Sequence, residues 1–201
     1  MIRVLDARFL TTAVDASGWP AASAPEVAFV GRSNVGKSSM INALTGRRKL
    51  VRVSNTPGRT RALNFFEVEL ARGDVRRRLL LADLPGYGFA RVSKAERAGW
   101  EQMITTYLRE RTVLRAVVAI VDAEVGATPD DVHTLAYLAG AGREVVVAAT
   151  KLDRLAKAKR KPHLAKVAER LEVPPRNVVG FSSTEKLGVE EVWEHLWAAC
   201  S

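Results

Sequence analysis

Cysteine is nearly absent: Cys200 is the single one among 201 residues, and aromatic side chains make up 6% of the chain. A lone thiol cannot close an internal disulfide, which excludes a disulfide scaffold and suits a reducing compartment. No run approaches the roughly 18 uninterrupted apolar residues that a membrane-spanning helix needs. The opening MIRVLDARFL scatters charges where a signal peptide would carry an apolar block. These absences lead to the expectation of a cytoplasmic protein with no membrane partner. Internal repeats and low-complexity linkers are also missing, so nothing points to a repeat array or a long tether. Acidic charge is in short supply: 31 Lys and Arg face 22 Asp and Glu, a net charge of +9. Such an excess favours a polyanionic partner through phosphate contacts and counterion release.

What is present is ordinary globular material, 47% hydrophobic and 26% charged, enough for a sizeable core. Residues 1–22 read as an irregular N-terminal extension and 23–201 as a single domain. The small-residue stretch DASGWPAASAP (15–25) reads as a surface connection. Short apolar runs at 27–31, 63–70, 76–83, 114–122, 143–150 and 177–183 predict strands. Several are apolar almost throughout, as strands covered on both faces of a parallel sheet are. Amphipathic stretches at 36–46, 93–111, 129–141, 154–171 and 188–199 predict helices between them. This alternation predicts an α/β fold with right-handed crossovers. Gly73-Asp74 predicts a hairpin turn and one antiparallel pair in an otherwise parallel sheet. Trp193 and Trp197, four apart in the last helix, read as a core-facing stripe.

Chemistry concentrates at the ends of these strands. GRSNVGKSS contains Gly31, Arg32, Ser33, Asn34, Val35, Gly36, Lys37 and Ser38 in the spacing G-x-x-x-x-G-K-[ST], between an apolar strand and a helix. Glycines allow backbone angles and close approaches that a side chain would block. Consecutive N–H groups and the helix N-terminus then face phosphates. Lys37 would reach the β- and γ-phosphates and the Ser38 hydroxyl would ligate Mg²⁺. Asp83 ends another apolar strand, followed by Leu84, Pro85 and Gly86. That is where a metal-side carboxylate belongs, and the Gly86 N–H could meet the γ-phosphate. In NTPGRTRA, Thr60 could offer Mg²⁺ a second hydroxyl, or the stretch is a polar turn built by Pro57-Gly58.

Two later strands end in TKLD (Thr150 to Asp153) and in FSST. Asp153 can accept two hydrogen bonds from guanine N1–H and the 2-amino group, donors that adenine lacks. The Lys151 stem could cover the base, and backbone N–H groups of Ser182 to Thr184 could meet guanine O6. Ordinary polar strand ends are the alternative for each taken alone. A P-loop kinase acting on a small acceptor would explain the phosphate cradle but leave TKLD and SST without a task. A binding module with incidental hydrolysis is the third reading.

The set GRSNVGKSS, NTPGRTRALNFF, DLPGYGFA, TKLD and SSTEKLG stands in the order used by translation-factor-class GTPases. It resembles most closely the EngB (YihA/YsxC) family of bacterial ribosome-biogenesis GTP-binding proteins, over about residues 9 to 197. TKLD departs from the commoner Asn-Lys-x-Asp, but threonine at Thr150 is the form that family uses. The resemblance implies a P-loop NTPase with a Ras-like G domain: a mostly parallel six-stranded sheet with one antiparallel strand and helices on both faces. It implies a monomeric, Mg²⁺-dependent GTP-binding protein that assists assembly of the large ribosomal subunit from its precursor of rRNA and ribosomal proteins. A need for the protein in normal cell division and septation is also implied.

Carried over by position, phosphate contacts fall on Gly31 to Ser38, and Mg²⁺ ligands on Ser38 and Thr60. The first switch falls on Gly58, Arg59, Thr60, Arg61 and Ala62, the second on Asp83, Leu84, Pro85 and Gly86. Guanine contacts fall on Thr150, Lys151, Leu152 and Asp153 and on Phe181, Ser182 and Ser183. Lys37, Thr60 and Gly86 carry the hydrolytic roles. Ras-like proteins place a glutamine just after the Asp-x-x-Gly turn. Tyr87 stands there, so slow intrinsic hydrolysis and an external accelerator are expected. Either Asn34 ligates a K⁺ ion near the phosphates or it is a turn residue. Arg59, Arg61 and the basic stretches 46–53 and 154–161 are the expected rRNA contacts.

Overall fold

Each strand end that carries a motif arrives at the same edge of one sheet. The structure is a computed structural model and describes residues 1–51, 62–87, 94–140 and 142–201. Seven strands, β1 (Arg3–Ala13), β2 (Glu26–Gly31), β3 (Leu63–Arg72), β4 (Val75–Asp83), β5 (Leu114–Asp122), β6 (Glu144–Thr150) and β7 (Val178–Gly180), lie in the order β1-β3-β4-β2-β5-β6-β7. β2 runs parallel to β4 and β5, and β5, β6 and β7 continue the parallel order. β3 alone runs the other way, antiparallel to both β1 and β4. Arg72 pairs with Val75 across the tight turn at Gly73, whose φ of 59° lies in the left-handed region. The expected hairpin is therefore present.

The expected six strands are all found, and β1 is a seventh within the stretch read as irregular. Its burial does not alternate cleanly, because register shifts interrupt it between Val4 and Asp6 and between Phe9 and Thr11. It is an edge strand whose partner β3 is remote in sequence, so neither a period-2 pattern nor a neighbouring turn marks it.

Five helices cross between the strands: α1 (Lys37–Thr45), α2 (Lys94–Glu110), α3 (Pro129–Gly140), α4 (Lys157–Arg170) and α5 (Val189–Ala199). The pleat decides which face each strand residue serves. Val27 and Phe29 of β2 face α1 and α5, where Met40, Ile41, Leu44, Trp193 and Trp197 pack. Ala28 and Val30 face the other side, with Tyr107 and Leu108 of α2, Leu138 of α3 and Val167 of α4. The tryptophan stripe is thus core, and the Trp193 indole N–H donates to the Leu44 carbonyl at 3.0 Å. Because both faces are covered, the polar strand termini are left at the sheet edges, where a site can form.

Candidate nucleotide-binding site

The loop between β2 and α1 begins at Gly31, buried where a Cβ would come within 2.9 Å of the Ile120 carbonyl oxygen and of Val35 Cγ1. Gly36 precedes α1 with φ 101°, a conformation that penalises any side chain. Asn34 is exposed at φ 62°, a left-handed angle that asparagine adopts more readily than most residues. The Val35 amide donates to the Arg32 carbonyl at 3.3 Å, which folds the loop over. Ser38, half-buried, sits in the first turn of α1.

β4 delivers the second motif beside this loop. The Leu84 amide donates to the Phe29 carbonyl at 3.0 Å, the Tyr87 amide to Gly31 at 3.2 Å and the Ser33 amide to the Tyr87 carbonyl at 3.0 Å. The parallel pairing of β2 and β4 thus continues past both strands into the two loops. Gly86 lies so close that a Cβ there would stand 3.0 Å from Ser33 Oγ and 3.1 Å from the Ser33 amide nitrogen. The Lys37 ammonium forms an ion pair with the Asp83 carboxylate, both largely buried. The group that would meet phosphate and the group on the metal side are thereby brought together.

Tyr87 does not project into the space beside Lys37 as a water-orienting group. Its hydroxyl donates to Asp131 Oδ1 at 2.7 Å, while Asp131 Oδ2 accepts from the Thr128 amide and hydroxyl at 2.8 and 2.7 Å. Burial, and then the Asp131 carboxylate, push the Tyr87 phenol far above its ordinary range. Tyr87 is a tether to α3.

The third cluster forms at the ends of β6 and β7. The buried Thr150 hydroxyl reaches the Val35 carbonyl at 2.5 Å and the Val121 carbonyl at 3.0 Å. Thr150 is thus a strut between the phosphate loop and the base-side motif. Lys151 adopts φ 59° and its ammonium pairs with Asp122 Oδ2 at 2.6 Å. Asp153 Oδ1 accepts the Ser182 hydroxyl at 2.6 Å, and Ser182 Oγ in turn accepts the Glu185 amide at 3.0 Å. Gly188, at φ 74°, closes this loop so tightly that a Cβ would fall 2.3 Å from the Gly180 carbonyl oxygen.

Several expected ligand residues also have partners within the fold. The side chains of Val35, Leu84, Leu152 and Phe181 are buried in the core. The Leu152 amide is bonded to the Phe181 carbonyl, the Phe181 amide to Ala149 and the Ser182 amide to Leu187. The Ser182 amide is thus already engaged within the fold, and its hydroxyl bears on Asp153. Gly58, Arg59, Thr60 and Arg61 lie outside the described residues, as do 52–53 of the basic stretch; Ala62 is described and buried. Asp122, Asp131 and Glu185 were not singled out from the sequence. The first ends a strand as Asp83 does, a signal that could have found it.

Residues 26–151 match a family model described as "50S ribosome-binding GTPase". A "Probable GTP-binding protein EngB" of Myxococcus xanthus (strain DK1622) is 66% identical over 193 residues, covering 96% of this chain and 94% of the relative. The chain belongs to the EngB family of GTP-binding proteins. A further EngB relative, from Anaeromyxobacter dehalogenans (strain 2CP-C), is 50% identical over 199 residues, 98% of this chain and 92% of its own. A solved structure titled as a probable GTP-binding protein engB superimposes with a TM-score of 0.66 at 25% identity, covering 87% of this chain and 98% of that one. As an EngB-family GTPase the chain binds guanine nucleotide and hydrolyses GTP. Ala62 aside, the expected nucleotide-binding residues that are described fall in three clusters: the β2–α1 loop, the end of β4, and the ends of β6 and β7.

Proposed function

We propose that this GTPase assists assembly of the large ribosomal subunit in the cytoplasm as a monomeric switch on an rRNA-containing precursor. In this reading normal cell division and septation depend on it. One observation supports it above the others: phosphate-loop, β4-end and base-side GTPase motifs stand on a chain of net charge +9 whose matching family model carries the description of a 50S ribosome-binding GTPase. The nucleotide would select the state, and the positive charge would attract the nucleic acid.

The donor set fits Mg²⁺, a hard cation that prefers a few protein oxygens together with phosphate and water. The Ser38 hydroxyl would hold it, with Asp83 on its water side and Thr60 as the expected second hydroxyl. Bound there, the ion would neutralise charge developing on the phosphoryl oxygens. Lys37 would leave Asp83 for the β- and γ-phosphates. Gly86, packed on Ser33 without a side chain, would present its N–H to the γ-phosphate, and hydrolysis would release that tether. With Tyr87 held by Asp131, no amide side chain stands at the usual water-orienting position, so intrinsic turnover is slow. A K⁺ ion beside the phosphates, ligated by Asn34, would accelerate it; equal turnover in potassium and sodium would remove K⁺ from the reading.

The deciding experiment is depletion of the protein followed by sucrose-gradient profiling. Incomplete large subunits should accumulate, and the protein should co-sediment with them when a non-hydrolysable GTP analogue is bound and leave with GDP. Normal subunit profiles after depletion would overturn the assembly role.

A further inference from the structure

Helix α4 opens with cations, unlike α3 and α5, which open with carboxylates. Its first turn contains no acidic residue, and its N-cap, Ala156, makes no side-chain cap hydrogen bond. Lys157, Lys159 and Lys161 instead place cations near the positive end of the helix dipole, an unfavourable arrangement. Pro162 lies inside the helix, where it removes a backbone hydrogen bond. By contrast, α3 opens with Asp130 and Asp131 and α5 with Glu190 and Glu191. Sequences that break such rules without a structural gain do so at functional surfaces.

The cations are also ordered. Lys159, His163, Lys166 and Arg170 recur at i, i+4, i+7 and i+11, a spacing that places them along one helix face. Lys159, Lys166 and Arg170 are exposed, and the His163 ring nitrogen Nδ1 lies 2.9 Å from the Lys159 carbonyl. Val167, Ala168 and Leu171 point the other way into the core. Glu169, beside the stripe, is the one carboxylate among residues 157–170. Aromatic anchors, which dominate protein–protein hot spots, are absent from this helix.

We propose that this cationic face of α4 is a docking surface for the phosphate backbone of RNA. Charge without aromatic or apolar anchors suits sequence-independent phosphate contacts rather than a protein partner. The surface is held in a definite place relative to the nucleotide. Arg160, on the flank of the stripe, donates to both carboxylate oxygens of Glu185 at 2.9 and 3.2 Å and to the Leu155 carbonyl at 3.1 Å. Glu185 lies on the Ser182–Asp153 loop, so RNA on α4 would rest on the same rigid unit as the base. Only the identity of the natural RNA rests on the ribosome-assembly reading.

The test titrates the full-length GDP-bound protein into a labelled RNA hairpin, followed by fluorescence anisotropy between about 50 and 200 mM salt. The variant Lys159→Gln/Lys166→Gln/Arg170→Gln should bind about tenfold or more weakly, and its log–log salt slope should fall by about three, one per lost phosphate contact. Arg3→Gln/Arg72→Gln/Arg76→Gln removes the same charge at the far edge of the sheet and should change the slope by less than about one. GDP affinity and thermal unfolding of the stripe variant should match the parent, showing that it folds. Equal losses in both variants, or none in the stripe variant, would overturn the proposal. So would poly-glutamate displacing the RNA as well, per charge, as a competing RNA does. If depletion leaves ribosomes normal while the stripe variant still loses RNA, the assembly role falls and the docking surface stands.

Discussion

The Thr150 hydroxyl lies within reach of two carbonyls from different parts of the site, Val35 in the phosphate loop and Val121 at the end of β5. A valine of the same shape would strip that donor from a buried position. Thr150→Val should lose about 1–3 kcal/mol of stability in urea denaturation, and GDP binding should weaken, because the phosphate loop loses its strut; Thr150→Ser should retain both. Asp153 works differently, through the ligand itself. Asp153→Asn exchanges a double acceptor for a group with a donor. GDP affinity should drop by about a hundredfold or more while xanthosine diphosphate gains, as measured by competition against a fluorescent nucleotide. Unchanged base preference would remove the guanine assignment at this residue.

Among the elements, α2 is anchored at its C-terminal end by a buried polar cluster at the start of β2. Glu26 is fully buried and accepts Tyr107 Oη at 2.6 Å and Arg111 Nη2 at 2.7 Å. The Arg111 guanidinium also lies 5.9 Å from the Trp19 ring centroid and 5.8 Å from that of Phe65. Removing one partner of a buried pair leaves the other charge without compensation. Arg111→Met should therefore cost about 3–5 kcal/mol, read from chemical denaturation, whereas a double change of Glu26 and Arg111 to well-packed apolar residues should recover much of it. Because this clamp lies at the edge of the sheet opposite the nucleotide site, GTP turnover in the folded fraction of Arg111→Met should stay near the parent rate.

For the molecule as a whole, two buried weak acids, Tyr107 and Cys200, and the half-buried Tyr87 contribute to the response to alkali. Burial raises the Cys200 thiol from 9.0 to about 11. It also raises the Tyr87 and Tyr107 phenols, with Asp131 and Glu26 adding to the effect. Each group stays protonated in the folded protein at a pH where the unfolded chain has ionised. The stability this gives is fully present below the unfolded pKa and is lost as pH rises through the folded one. For Cys200 that window runs from 9.0 to about 11. The urea midpoint should fall across this range, and Cys200→Ala should shallow the fall relative to its own neutral value. A parallel shift of the two curves would remove Cys200 as a contributor.

The order of strands and helices and the positions of the phosphate, metal-side and base motifs were legible in the chain alone. They depend on local pattern: apolar runs long enough for strands, helical spacing between them, and glycines where a turn or close approach requires one. β1 was not legible, because an edge strand with interrupted register finds its partner β3 only through long-range pairing. The partners of Tyr87, Thr150 and Ser182 were equally hidden, since Asp131, Val35 and Asp153 stand 44, 115 and 29 residues away along the chain. Residue types and spacing determined which chemistry this protein can perform. Which groups hold one another in place around these motifs was decided by the tertiary fold, because hydrogen bonds between distant strand ends exist only once the sheet is assembled.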